Sequence, residues 1–164
     1  MALNSYATPD GLEIGRAQAV QAEAAGVVCT TDMNPLLLKP NSEHTTQVVL
    51  NGRPIGNRSA YDYFRKEGRE ELRKAVNAAF DRLSQSFCPI IMEGAGSVSE
   101  INLRDSDLVN MPMARHAGAD VILVADIDRG GVFASCYGSV MLQTPDDRKR
   151  IKGIIINKFR GDIR

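Results

Sequence analysis

The fold class of this chain is decided by residues 120–157, which read DVILVADIDRGGVFASCYGSVMLQTPDDRKRIKGIIIN. Two apolar runs open and close this stretch, at 120–125 and 151–157; both are rich in Ile and Val and too short for a typical helix. A helix from about 132 to 142, then a further helical turn at 145–150, is predicted between them. Apolar strands separated by helices are typical of parallel strands covered on both faces.

The same alternation extends upstream. The apolar run CPIIM at 88–92 predicts a third buried strand, and a helix from about 106 to 117, capped by Gly118, is predicted after it. Residues 88–157 are therefore predicted to form β-α-β-α-β. This order indicates an α/β fold with a mostly parallel sheet.

The first half of the chain carries weaker signals. A helix is predicted over 13–25 and a longer one over 60–86, where apolar residues recur at intervals of three and four. Asn51-Gly52 between two short extended runs predicts a hairpin. In residues 27–44, two prolines are expected to interrupt any regular element.

Composition bounds the class of protein. The chain has 164 residues, 43% of them hydrophobic and 24% charged, as expected for one folded domain, 1–164, rather than a disordered chain. Twenty basic residues balance twenty acidic ones, so no overall field attracts nucleic acid or an anionic membrane. No apolar run approaches the roughly 20 residues of a membrane span. Three widely spaced cysteines indicate reduced thiols, and the prediction is a soluble, cytoplasmic protein.

The candidate site lies where the predicted strands end. In an open parallel sheet, ligands bind outside the carboxyl ends of the strands, because loops and helix N-termini gather there. EGAGS follows the first predicted strand, DIDRGG the second and KFRGD the third. Acidic, basic and glycine residues on one rim suit phosphates and a divalent metal.

Each loop has a functional and a plainer interpretation. Glu93, before two glycines, can hold Mg²⁺, or it is a solvated residue of an ordinary turn. Asp126 and Asp128, with Arg129, resemble the acidic strand end by which nucleotide hydrolases hold metal, but acidic residues also cap helices. Asn157 can bond to a purine edge, or it is a turn residue.

Other candidates are weaker. Glu13, at the start of the predicted first helix, is expected only to complement the helix dipole. Neither His44 nor His116 sits in a nucleophile motif. The chain contains no G-x-x-x-x-G-K-[ST] loop, so phosphate is held another way or that loop lies upstream.

Long ordered strings resemble the cobyric acid synthase family, the glutamine-dependent amidotransferases of cobalamin biosynthesis. Nearly the whole chain is covered by strings of this kind: MALNSYATPDGLEIGRAQAVQAEAAG at 1–26, DMNPLLLKP at 32–40, QVVLNGRPIG at 47–56, EGAGSVSEINLRDSDLVNM at 93–111, VILVADIDRGGVFAS at 121–135 and KGIIINKFRGDI at 152–163.

The resemblance implies a P-loop-NTPase-like, dethiobiotin-synthetase-like three-layer domain. ATP and Mg²⁺ would activate side-chain carboxylates of the corrin substrate, adenosylcobyrinic acid a,c-diamide, as acyl phosphates for attack by ammonia from a separate glutaminase domain. The family begins with a strand and a phosphate loop, which this chain lacks along with the glutaminase domain. We therefore expect a single partial synthetase domain that is inactive alone and self-associates.

The resemblance also implies roles for individual residues. Glu93 resembles a glutamate that binds Mg²⁺, and Glu13 resembles a second metal carboxylate, which replaces the dipole interpretation. Asn157 resembles the residue beside the adenine. The implied catalytic residues, on the loop facing the phosphates, are Asp126, Asp128 and Arg129. The implied corrin-facing residues are Asn102, Asp107 and Asn110. The alternative is a catalytically inactive nucleotide-binding or structural module of the same superfamily.

Overall fold

The structure is a computed structural model that describes residues 4–40, 45–59 and 66–162. The chain is α/β and divides into two compact units, Met1–Ile91 and Met92–Arg164. The described strands form three sheets, of which only the sheet in the second unit is parallel. The α/β class is confirmed, whereas the expectation of a mostly parallel sheet is wrong for the described residues. In the two antiparallel sheets, each link that joins two paired strands has at most five residues, which is too short for the crossover that parallel pairing needs.

The first unit begins with a small antiparallel ribbon. Strand β1 (Ser5–Ala7) pairs with β2 (Glu13–Gly15), and helix α1 spans Arg16–Ala24. The prediction that a helix starts at Glu13 is therefore wrong. The backbone of Glu13 pairs with the first strand, and Gly15 is still extended, with φ −63° and ψ 137°. The helix therefore begins at Arg16, directly after Gly15.

A three-stranded antiparallel sheet follows. Its strands are β3 (Leu36–Pro40), β4 (Thr45–Leu50) and β5 (Arg53–Ser59), in that order. The hairpin predicted at Asn51-Gly52 is confirmed. Both residues have positive φ, 48° and 78°, as a tight two-residue hairpin turn requires.

The expectation that these prolines interrupt regular elements fits Pro35, which lies between a 3₁₀ turn and β3, but is wrong for Pro40. Pro40 closes β3, an edge strand of its sheet. A residue without an N–H is tolerated there, because the outer side of an edge strand makes no ladder hydrogen bonds. His44 lies in the same region but outside the described residues.

Helix α2 (Lys66–Ser84) completes the first unit and confirms the predicted helix from residue 66 onward. Residues 60–65, where that prediction starts, lie outside the described residues. The apolar stripe expected from the sequence is buried, with Leu72, Val76 and Ala79 at 6%, 9% and 0% exposure. Burial of this stripe, rather than the charge-rich remainder, holds the helix on its unit.

The second unit contains the predicted β-α-β segment. Strands β6 (Val121–Asp126) and β7 (Ile151–Asn157) pair in parallel, and the crossover contains helices α4 (Val132–Met141) and α5 (Pro145–Arg150). Helix α3 (Met111–His116) precedes β6 in the chain. The two strands, their parallel pairing and both crossover helices are thus confirmed.

Two other predictions for this region are wrong in whole or in part. Residues 88–92 form no strand, and Ile91 is 94% exposed. An apolar run becomes a strand only where a neighbour accepts its hydrogen bonds, and no described strand lies beside it. The helix predicted over 106–117 is confirmed only for α3, Met111–His116, which Gly118 follows with a φ of 62°. Residues 101–106 form a 3₁₀ helix instead, and the Asp107 side chain holds a turn between the two helices.

The parallel strands are also not covered on both faces. Ile122, Val124 and Ile155 share a face, by the register of the pair, and are 51%, 62% and 54% exposed. Apolar composition shows which side chains favour burial. To be buried, these side chains also need other residues packed against them, and the described residues of this unit supply none on this face.

Two smaller findings complete the fold. No helix in the described ranges is long and apolar enough to cross a bilayer. All three cysteines are described as free thiols: Cys29 is half-buried, Cys88 exposed and Cys136 buried.

Candidate functional site

The loops after β6 and β7 meet in a cluster of charges. Asp126 ends β6 directly opposite Asn157, which ends β7. The ammonium of Lys158 lies 2.8 Å from Asp126 Oδ2 and 3.4 Å from Asp128 Oδ2. Arg160 forms an ion pair with Asp128. Two of the three predicted loops are thus brought together, and their aspartates already face cations of the chain.

Asp126 also shapes its own loop. Its Oδ1 accepts a hydrogen bond of 2.9 Å from the backbone N–H of Asp128, which caps a single 3₁₀ turn, Ile127–Arg129. The capping interpretation of this acidic residue is therefore confirmed. The glycines that follow have positive φ and lead into α4, and Arg129 is exposed beside them.

Asn157 takes part in a turn. Its Oδ1 accepts a hydrogen bond of 2.9 Å from the backbone N–H of Lys158, whose φ is 55°. The side-chain carbonyl thereby fixes the start of the loop. Because a side-chain amide also carries two N–H donors, the exposed Asn157 keeps donor capacity toward a ligand.

The Asn110 side chain supports the EGAG loop through a hydrogen bond. Its Nδ2 donates a hydrogen bond of 2.9 Å to the Ala95 carbonyl. A Cβ added at Gly94 would overlap the Asn110 side-chain oxygen, so a larger residue there would require the Asn110 amide to move. Glu93 itself is exposed at the start of this loop. A carboxylate on such a glycine loop is suited to a divalent metal, whereas the backbone N–H groups of the loop are suited to a phosphate.

Two of the three residues predicted to face the corrin support that loop. Asp107 Oδ1 accepts hydrogen bonds from the backbone N–H groups of Val109 at 2.9 Å and Asn110 at 3.0 Å. The third, Asn102, is exposed on the 3₁₀ helix. Asp107 and Asn110 therefore have loop-shaping contacts that the sequence did not indicate.

Glu13 lies in the first unit, on β2. Its Oε1 is 2.5 Å from the ammonium of Lys39 on β3, and the two side chains are 23% and 27% exposed. The hydrogen bond from Lys39, followed by one from Ser5, holds the pKa of the Glu13 carboxyl below its ordinary value. Glu13 is thus a charged, partly buried carboxylate with a cation already in place.

Three basic residues in these contacts were missed as individual candidates: Lys39, Lys158 and Arg160. A signal existed for each, since LLLKP and IIINKFRGD both carry basic residues at the end of apolar strands. The partners of these basic residues could not be predicted from the sequence, because no spacing rule links Lys39 to Glu13 or Lys158 to Asp126.

The donor chemistry suits a hard divalent cation with few protein ligands. Across the described residues, no group of three or more His, Cys, Asp and Glu side chains could hold a metal. Mg²⁺ commonly takes only one or two carboxylates and completes its shell with water and substrate phosphates. Glu13 and Glu93 each offer one carboxylate, which fits this kind of Mg²⁺ site.

Comparison with known proteins matches the whole chain to cobyric acid synthases. It is 84% identical over 164 residues to cobyric acid synthase of Phocaeicola vulgatus, 83% identical over 164 residues to that of Bacteroides fragilis, and 53% identical over 163 residues to that of Geobacillus kaustophilus. The chain spans 33%, 33% and 32% of these relatives, about a third of their length. No protein-family model matches the chain. No solved structure matches it either. The resemblance drawn from the motifs is confirmed along the whole chain.

Proposed function

We propose that this chain is part of a ligase that amidates side-chain carboxylates of adenosylcobyrinic acid a,c-diamide in cobalamin biosynthesis, using ATP and glutamine. The observation that carries the proposal is the 84% identity, over the whole chain, to a cobyric acid synthase. The complete reaction belongs to a protein about three times as long, in which a glutaminase domain supplies the ammonia. We also propose that the protein works in the cytoplasm.

For the fold, we propose a P-loop-NTPase-like domain of the dethiobiotin synthetase type. Support comes from the parallel pair β6 and β7, whose crossover contains helices, and from the charged loops at their carboxyl ends. In such sheets this edge is where ligands bind. The single synthetase domain expected for 1–164 remains part of the proposal.

Glu13 and Glu93 would bind Mg²⁺, and Asn157 would bind the adenine through its amide N–H donors, since its carbonyl is used in the turn. Bound ATP and Mg²⁺ would supply the phosphoryl group that turns a substrate carboxylate into an acyl phosphate for attack by ammonia. Asn102, Asp107 and Asn110 would face the corrin, with the last two also shaping the EGAG loop.

The aspartates after β6 would position cations. Bringing a phosphate to a carboxylate joins two anions, and positive groups must offset the repulsion. Asp126 and Asp128 hold Lys158 and Arg160 at the strand ends, and Arg129 adds a further charge. We therefore assign Asp126 and Asp128 the role of orienting these cations toward the nucleotide phosphates.

A chimera tests the proposal. This chain would replace the corresponding third of the Bacteroides fragilis cobyric acid synthase, to which it is 83% identical. We expect ATP- and glutamine-dependent amidation within a few-fold of the parent enzyme. The matched control is the same chimera with Glu93→Gln, which should lose most activity while folding normally.

A folded chimera that forms no amide would contradict the proposal. If that chimera still bound ATP, the alternative of a nucleotide-binding module without catalytic function would replace it. The 164-residue chain alone serves as a second reference, because we expect it to be inactive.

A further inference from the structure

Glu13 and Lys39 form an ion pair between two different sheets of the first unit. They lie 26 residues apart in sequence, and Glu13 Oε1 accepts a hydrogen bond of 2.5 Å from Lys39 Nζ. About three quarters of each side chain is shielded from solvent. A shielded carboxylate is costly without a cation, so this pair keeps Glu13 charged in place.

The backbones that carry the pair are fastened independently of it. Asn34 joins the end of β2 to the start of β3, because its Oδ1 accepts 2.8 Å from the Gly15 N–H and its Nδ2 donates 3.3 Å to the Leu36 carbonyl. The Glu13 N–H donates 3.1 Å to the Gly52 carbonyl. The strand that carries Glu13 would therefore stay in position if the lysine moved away.

We propose that Lys39 is the resident counter-ion of Glu13, and that its ammonium leaves this carboxylate when Mg²⁺ binds there. This inference rests on the proposed function, in which Glu13 is a metal carboxylate. Ammonium and Mg²⁺ compete for the same carboxylate oxygen. Lys39 has a long flexible stem and a partly exposed side chain, so it can turn outward without disturbing β3. Before the metal arrives, Lys39 neutralises this carboxylate.

The test is a Mg²⁺ titration of the 164-residue chain, followed by the amide chemical shifts of residues 12–15. Lys39→Met removes the competing charge and should tighten Mg²⁺ binding about twofold to fivefold, the range expected for a partly exposed ion pair. Glu13→Gln should abolish the saturable shifts. Lys152→Met is the matched control, because Lys152 pairs with Asp120 in the second unit, at 3.8 Å, and should leave the Mg²⁺ affinity unchanged.

The outcomes separate the two ideas. If wild type saturates, Glu13→Gln weakens binding and Lys39→Met leaves it unchanged or weaker, the counter-ion role is overturned while the metal role of Glu13 stands. If Glu13→Gln behaves like wild type, or wild type does not saturate, the metal role fails and the counter-ion role fails with it. If Lys39→Met does not fold, the titration of wild type tests the proposal by itself. In that titration the Lys39 side-chain methylene signals must shift in step with the amide signal of Glu13.

Discussion

Arg115 and Asp147 form the most shielded ion pair described in the second unit. Both carboxylate oxygens of Asp147, whose side chain is 4% exposed, accept hydrogen bonds of 2.7 Å from Arg115 Nη1. Arg115→Ala would leave this carboxylate buried without its cation, and we expect a loss of about 2 kcal/mol in the free energy of unfolding. Urea denaturation measures it.

Lys149→Ala is the control for that prediction. Lys149 pairs with Asp146 where both side chains are largely exposed, at 76% and 88%. Its removal should change stability by less than about 0.5 kcal/mol. Equal losses in the two variants would show that shielding does not determine the strength of these pairs.

Glu13 predicts a dependence of stability on pH. Lys39 lowers the pKa of its carboxyl below the ordinary 4.5, so the folded state binds a proton less readily than the unfolded state. The stabilisation is present above pH 4.5 and is lost as the pH falls through the folded pKa. We expect wild type to exceed Glu13→Gln by up to about 1 kcal/mol at pH 7 and to equal it at low pH. Unfolding titrations at several pH values test this, and a constant difference would contradict it.

The residues of the candidate site were predictable to different degrees. Asp126 and Asn157 could be found because residues that follow a parallel strand must lie at its carboxyl edge. Lys158 as a partner of Asp126 could not be found, because that contact depends on the register of two strands 25 residues apart. The contact by which Asn110 supports the EGAG loop could not be predicted either, because it depends on how two loops pack.

At the scale of elements, the hairpin turn between β4 and β5 makes a sharp prediction. Gly52 has φ 78°, and a Cβ there would lie 2.6 Å from both Leu12 Cβ and Thr31 Cγ2. Gly52→Ala should therefore cost about 1–3 kcal/mol through backbone strain and overlap. Thermal unfolding would detect the change as a lower Tm.

Asn51→Gly is the matched control in the same turn. Asn51 also has positive φ, 48°, which glycine adopts without strain. Stability should stay within about 0.5 kcal/mol of wild type. If Gly52→Ala were equally neutral, the close approach of this turn to Leu12 and Thr31 would not contribute to stability.

Elements were predictable where local pattern and pairing agree. Both β6 and β7, with α4 and α5 between them, follow from apolar runs separated by helical stretches. The run at 88–92 is also apolar but forms no strand, because apolar composition does not supply a pairing neighbour. Pro40 ends a strand for a related reason, since its place at the sheet edge is a property of the sheet and not of the segment.

At the scale of the whole molecule, the uncovered apolar face of β6 and β7 predicts self-association. Ile122, Val124 and Ile155 present contiguous apolar surface of the kind that favours association. We expect the 164-residue chain to form dimers or larger species at micromolar concentration. Sedimentation velocity measures this, and Val124→Glu should shift the distribution toward monomer.

Val28→Glu is the control for self-association. Val28 is 69% exposed in the first unit, so this variant adds the same charge to a side chain that is not part of the face of β6 and β7. It should leave the sedimentation profile unchanged. A wild-type chain that sediments as a monomer at every concentration would contradict the prediction.

The charge cluster at the ends of β6 and β7 has a consequence for how fast a ligand arrives. Asp126 and Asp128 neutralise Lys158 and Arg160 at close range, so the four side chains project little net field into solvent. An anionic ligand would then be captured after random collision rather than guided from a distance. Its association rate should therefore change little with ionic strength, even where its affinity depends on these same charges.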